Sequence, residues 1–135
     1  MENDPFEAFL YVLLLLNGAY DTLCAAVLLL SSPDAAALRA RVPHLAIFRD
    51  PQTAANHLLQ TYIAFWVATY APLRLVAALF PARPFYIVAA YSYFIEAACY
   101  LYLTCLLPDT LHAPRTAFVV VCSAAIGALL VATVC

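Results

Sequence analysis

Long apolar runs alternate with short polar breaks along this chain, and four of the runs are long enough to cross a bilayer. They cover roughly residues 6–30, 56–80, 85–107 and 114–134. A spanning helix needs about 20 mainly apolar residues, and none of the four shows the strict two-residue alternation of a half-buried strand. The pattern predicts an all-α, polytopic membrane protein. Its four transmembrane helices form one compact bundle over residues 1–135, with a short interfacial helix in the first loop, 31–55.

The polar breaks carry the expected start and stop signals. Asp4-Pro5 reads as an N-cap and first helical position, and Ser31-Ser32-Pro33 ends the first helix. The stretch PDAAALRAR predicts a short helix with Ser32 as its N-cap, stopped by Pro43. Asp50-Pro51 is a second cap-plus-proline start, from which helix two begins ahead of the membrane and runs on through Phe80. Pro81-Ala82-Arg83-Pro84 is a tight turn, and Leu107-Pro108-Asp109 closes helix three.

Two faces are marked by spacing. In helix two Tyr62, Trp66, Tyr70, Arg74 and Ala78 recur at steps of four, and Trp66 and Tyr70 are expected to serve helix packing. Pro72 leaves the Ala68 carbonyl without its donor and predicts a kink near Arg74. In helix four Ser123 and Gly127 form a small-xxx-small pair, with a second row at Ala124, Ala128 and Ala132. Small residues at that spacing let a neighbouring helix approach closely, so helix four is expected to be a packing surface with no chemistry of its own.

Composition narrows the class. The chain is 67% hydrophobic and 10% charged, with a mean hydropathy of +0.91. A soluble domain would need a polar surface that these residues cannot supply. A net charge of −2 and the absence of lysine argue against nucleic-acid binding. Five cysteines without a CxxC are expected to be small apolar packing residues. The acidic start MENDPFEAF has neither the basic n-region of a signal peptide nor an arginine-rich presequence, so the first apolar segment is expected to be retained. Arg39, Arg41, Arg49 and Arg115 fall on one side of the four helices and Arg83 on the other. The positive-inside rule then places both termini on the non-cytoplasmic side.

The candidate site is a set of polar residues that lipid does not tolerate alone. At about 1.5 Å rise per residue, Asp21 and Glu96 fall near the bilayer midplane, with Asn17 and Arg74 slightly to one side. An unpartnered arginine there costs roughly 2.5–3.5 kcal/mol on insertion scales. Asn17, Asp21, Arg74 and Glu96 are therefore expected to form a buried polar clasp. Consecutive helices tend to be neighbours, so Arg74–Glu96 is the expected contact, with Arg74–Asp21 next. One arginine cannot balance two carboxylates. The second is expected to be protonated or hydrogen-bonded to a tyrosine or to Asn17. The expected role is to fix helix register, with a headgroup, sterol-hydroxyl or proton site as the sharper alternative.

Chemistry of other kinds is sparse. His44, His57 and His112 show no metal-binding spacing. A bis-histidine haem on His57 and His112 is weighed against interfacial histidines at helix ends, and the latter is expected. With only Gly18 and Gly127 there is no phosphate-cradling loop, and no GxSxG is present. No catalytic residue, metal or cofactor is expected.

Trp66, Arg74 eight residues on and Ala78 four further resemble a pattern in the four-helix scaffold of sterol C4-demethylation, the ergosterol biosynthetic protein twenty-eight family. The order of parts is also similar: one helix, a longer loop, the Trp–Arg helix, a short turn, an aromatic third helix and a plain fourth. Only Trp66 and Arg74 carry over. The chain departs from the family at Ala64, where a glycine is usual, and at Cys99, near the position of a histidine. Glu96 stands earlier than the family's glutamate, and the family's arginine before the tryptophan is absent. The resemblance implies an endoplasmic-reticulum membrane protein that tethers sterol-processing enzymes without catalysis of its own. Two other classes fit the residues: an accessory subunit of a mitochondrial respiratory-chain or ATP-synthase complex, and a lipid- or quinone-handling enzyme using Asp21, Arg74 and Glu96. The expected partners are other integral membrane proteins and membrane lipids.

Overall fold

Every long apolar run becomes a helix because a backbone in lipid must satisfy its own hydrogen bonds. The structure, a computed structural model, describes residues 5–32 and 35–135. Its helices are α1 (Pro5–Leu30), α2 (Ala36–Arg39), α3 (Pro51–Ala55), α4 (His57–Leu79), α5 (Arg83–Leu106) and α6 (Ala113–Val134), with a 3-10 turn at Pro43–Leu45. α1, α4, α5 and α6 are each long and apolar enough to span a membrane. The protein is an all-helical integral membrane protein, and these four helices pack into one bundle.

Residue size decides how the bundle closes. Many large apolar side chains point outward, as Leu16, Leu23 and Phe118 do, while Leu10, Leu14, Val67 and Leu130 fill the core. Around them the interior holds many alanines, including Ala64, Ala71, Ala77 and Ala78 of α4 and Ala89 and Ala90 of α5. α1 packs along α4 and α5 along α6, and α4 against α5 joins the two pairs. At Gly18 α1 comes close to α4. A Cβ there would lie 2.9 Å from Leu75 Cγ and 3.0 Å from the Leu75 backbone nitrogen.

The first loop folds onto the bundle in three pieces. Asp50 caps α3 as expected, accepting from the Gln52 and Thr53 N–H groups. Helix two does not run unbroken from there. Asn56 turns extended (φ −63°, ψ 115°) and its side chain caps α4 by accepting from Leu59 N–H. The chain thus ends α3 and restarts, because a second good cap is available. Pro72 lies within a continuous α4. The expected Ser32 cap is replaced by Ala35, which offers α2 no side-chain cap. Pro33 and Asp34 lie outside the described residues, as does Asp4 of the expected first cap.

Arg39 fastens this loop. It is 5% exposed, donating to the Ser31 carbonyl at 2.6 Å, to Ser31 Oγ at 3.0 Å and to Gln60 Oε1 at 2.9 Å. The carbonyls at a helix C-terminus favour a cation, so Arg39 ties the end of α1 to the start of α4. A second strap crosses to the other helix pair. Arg49 N–H donates to the Thr110 carbonyl at 2.9 Å and His112 N–H to the Ile47 carbonyl at 2.7 Å, around the antiparallel bridge Phe48–Leu111.

Candidate functional site

Arg74 organises the centre of the bundle. It is 1% exposed, yet its donors are met by two other helices, α1 and α5. Nη1 donates to Asp21 Oδ2 of α1 at 2.7 Å and to Asn17 Oδ1 at 2.9 Å. Nη2 donates to Glu96 Oε2 of α5 at 2.8 Å, and Nε to Ser92 Oγ at 3.3 Å. The guanidinium faces are covered too, by the Tyr93 ring at 3.8 Å and the Tyr70 ring at 4.2 Å. Arginine suits this place because its planar fork pairs carboxylates while its faces stack on aromatic rings.

The four residues expected in the clasp therefore meet, and the expected Arg74–Glu96 contact forms together with the Arg74–Asp21 contact. Arg74 does not choose between carboxylates; one nitrogen takes each. Asn17 turns to Arg74 and to Tyr93, whose hydroxyl donates to Asn17 Oδ1 at 2.8 Å.

Two residues expected to serve packing alone do more. Tyr70 donates its hydroxyl to Glu96 Oε1 at 3.1 Å, and Ser123 donates to Glu96 Oε2 at 2.8 Å. α6 thus brings a hydroxyl into the site, which corrects its reading as a surface without chemistry. Glu96 is held by donors from α4 and α6. Trp66 and Gly127 do pack: Trp66 lies against Tyr100 at 5.4 Å and Tyr70 at 6.0 Å, and Gly127 lets the Phe94 ring approach. Of the stripe on helix two, only Tyr62 turns outward.

His44, Ser92 and Tyr93 were not among the expected site residues. The signal for the last two was their position: Ser92 and Tyr93 stand on the Glu96 face, one turn before it. His44 had no such signal, because it comes from the loop. The strapped 3-10 turn carries it to 3.6 Å from Asp21 Oδ1 and 3.4 Å from the Tyr70 hydroxyl, with the ring stacked on Tyr20. Burial pushes the His44 imidazole below its ordinary value; Glu96 opposes that and Arg74 adds to it. His44 is therefore neutral at pH 7. His57, by contrast, stands on the exposed surface at the start of α4.

A cavity of about 540 Å³ adjoins the clasp, between α1, the 43–47 turn, α5 and α6. Asp21, Arg74 and Glu96 form its floor, and Phe118, Val119 and Ile126 form an apolar wall. Among the described residues, no group of three or more histidines, cysteines, aspartates or glutamates could hold a metal ion.

No protein-family model, no curated protein and no solved structure matches the chain.

Proposed function

We propose that the protein is a non-catalytic scaffold of a membrane, docking other integral membrane proteins through α6. The observation that carries this reading is the exposure of that helix. Only 17% of its most apolar window is buried inside the bundle, against 33–39% for the other three spans. Ala128 and Ala132 are exposed and Ala124 is half-buried, so the second small-residue row is unused by the chain's own helices. Lipid gives no hydrophobic drive for helix association, and close approach at small residues supplies it instead. The clasp supports the same reading, because a guanidinium held on its edge and both faces locks a bundle rather than awaiting a reaction.

The likeness of Trp66 and Arg74 to the sterol C4-demethylation scaffold favours the endoplasmic-reticulum membrane and sterol-processing enzymes as partners. In this reading the arginine-rich loops face the cytoplasm and both termini the other side. The test is co-isolation of tagged protein, wild type and Ala128→Trp, from solubilised membranes. Recovery of sterol C4-demethylation enzymes with the wild type, lost with Ala128→Trp, supports the proposal. Recovery of cytochrome or ATP-synthase subunits replaces it with an accessory-subunit role in the mitochondrial inner membrane. An Arg74→Ala protein that assembles normally but loses a turnover step would make it an enzyme.

A further inference from the structure

Each guanidinium nitrogen of Arg74 has an acceptor, whereas Asp21 has an oxygen to spare. Glu96 receives three donors, from Arg74, Tyr70 and Ser123. Asp21 receives one, through Oδ2. Its other oxygen, Oδ1, has only His44 Nε2 at 3.6 Å, beyond hydrogen-bond reach. The Asp21 side chain is 4% exposed and lines the cavity. The His44 side chain is 10% exposed, lines the same cavity, and its Nδ1 is buried with no partner. Its Nε2 faces the acceptors Asp21 and Tyr70, which assigns the proton to Nε2 and leaves Nδ1 a bare acceptor. This wall of the cavity has acceptors to spare and lacks donors.

Charge points the same way. One guanidinium stands against two carboxylates, so the floor keeps one negative charge unless a cation or a proton joins it. The floor offers an anionic headgroup nothing to hold, since four acceptors occupy the edge of Arg74 and two rings cover its faces; the second guanidinium of the lining, Arg115, stands away from the floor and donates Nη1 to the Ala46 carbonyl. Above the floor the walls are mainly aromatic and aliphatic, with Arg115 at the 43–47 turn. Tyr20 and Phe118 line the cavity and are 42% and 70% exposed, so it opens sideways between α1 and α6, where the lipid lies. Ring faces attract cations, and a volume of this size suits a drug-sized or lipid-sized molecule.

The geometry points to a binding site for a lipophilic amine, entered from the membrane, with its ammonium on Asp21 Oδ1 and its hydrocarbon body along Phe118, Val119 and Ile126. The site does not depend on α6 docking a partner, and it calls for no reaction.

Cys122 supplies the reporter, since it lines the cavity, whereas Cys105 and Cys135 are exposed elsewhere. The full chain in neutral phosphatidylcholine nanodiscs is alkylated with N-ethylmaleimide and each cysteine is followed by mass spectrometry. Dodecylamine, dodecanol and dodecyl phosphate are compared at equal mole fraction. The expected result is protection of Cys122 by the amine at concentrations at least tenfold below those needed for the alcohol, no protection by the phosphate, and no change at Cys105 or Cys135. Asp21→Asn keeps an acceptor for Arg74 and removes the charge; it is expected to erase the amine's tenfold advantage. Equal protection by amine and alcohol would make the cavity a hydroxyl site and overturn the proposal. Protection by the phosphate, or by none of the three, overturns it as well, the last meaning that a proton balances the floor. The wild-type comparison decides even where Asp21→Asn fails to fold.

Discussion

Replacing Arg74 by methionine removes the charge while keeping an unbranched side chain in the gap between Tyr70 and Tyr93. Four hydrogen bonds disappear together, and Asp21 and Glu96 are left as two buried acids without their cation. Removing one partner of a buried ion pair costs about 3–5 kcal/mol, because the remaining charge is stranded. At about 1.4 kcal/mol per tenfold, the middle of that range lowers the folded-to-unfolded ratio on the order of a thousandfold. The companion variant is Arg74→Met with Asp21→Asn and Glu96→Gln. It removes all three charges, and replacing a whole buried ion cluster is often neutral, so it is expected to be more stable than Arg74→Met alone. Equilibrium unfolding in mixed micelles of dodecyl maltoside and dodecyl sulfate, followed by the fluorescence of the single tryptophan, measures both. The reasoning fails if Arg74→Met lies within about 1 kcal/mol of wild type, since the loss expected of a broken buried pair is several times that. It also fails if the triple variant is the less stable of the two.

Three further outcomes are expected. Gly18→Ala is expected to destabilise by about 1–3 kcal/mol, the usual range for overpacking, since its Cβ meets Leu75 backbone. Gly127→Ala costs less, because its Cβ meets the Phe94 ring at 3.1 Å and that half-exposed ring can swing into lipid; the same unfolding assay ranks the pair. Phe48→Cys with Leu111→Cys, in a background without the native cysteines, is expected to form a disulfide on mild oxidation. The two positions face each other in an antiparallel bridge, whose Cα spacing of about 4.5–5.5 Å suits that bond, and mass spectrometry of the linked peptide detects it. Stability is expected to fall as pH drops below about 6.5, where an unfolded histidine takes up a proton that buried His44 resists. The folded state then binds fewer protons than the unfolded one, so acid favours unfolding. His44→Gln is expected to flatten the unfolding midpoint between pH 7.5 and 5.5, and an unchanged slope would assign the loss to other groups.

Much of this architecture follows from local sequence. Four helices form because bilayer-length apolar runs leave the backbone no alternative, and their ends fall within about two residues of the polar breaks. The clasp was legible for the same reason. A charge deep in an apolar run demands a partner, and 1.5 Å per residue places Asn17, Asp21, Arg74 and Glu96 at one depth. Depth along a helix, however, does not say which way a side chain faces across the bundle. That is why Ser123 read as a small packing residue until α6, packed along α5, turned its hydroxyl onto Glu96. His44 depended still more on tertiary structure. Its place beside Asp21 is set by Arg39 holding the end of α1 and by the backbone hydrogen bonds Arg49 N–H to Thr110 and His112 N–H to Ile47, the latter two between residues far apart in the chain. The cavity too is a product of assembly. Its lining comes from α1, the 43–47 turn, α4, α5 and α6, and no single segment carries a pattern for a space that several segments only jointly leave empty.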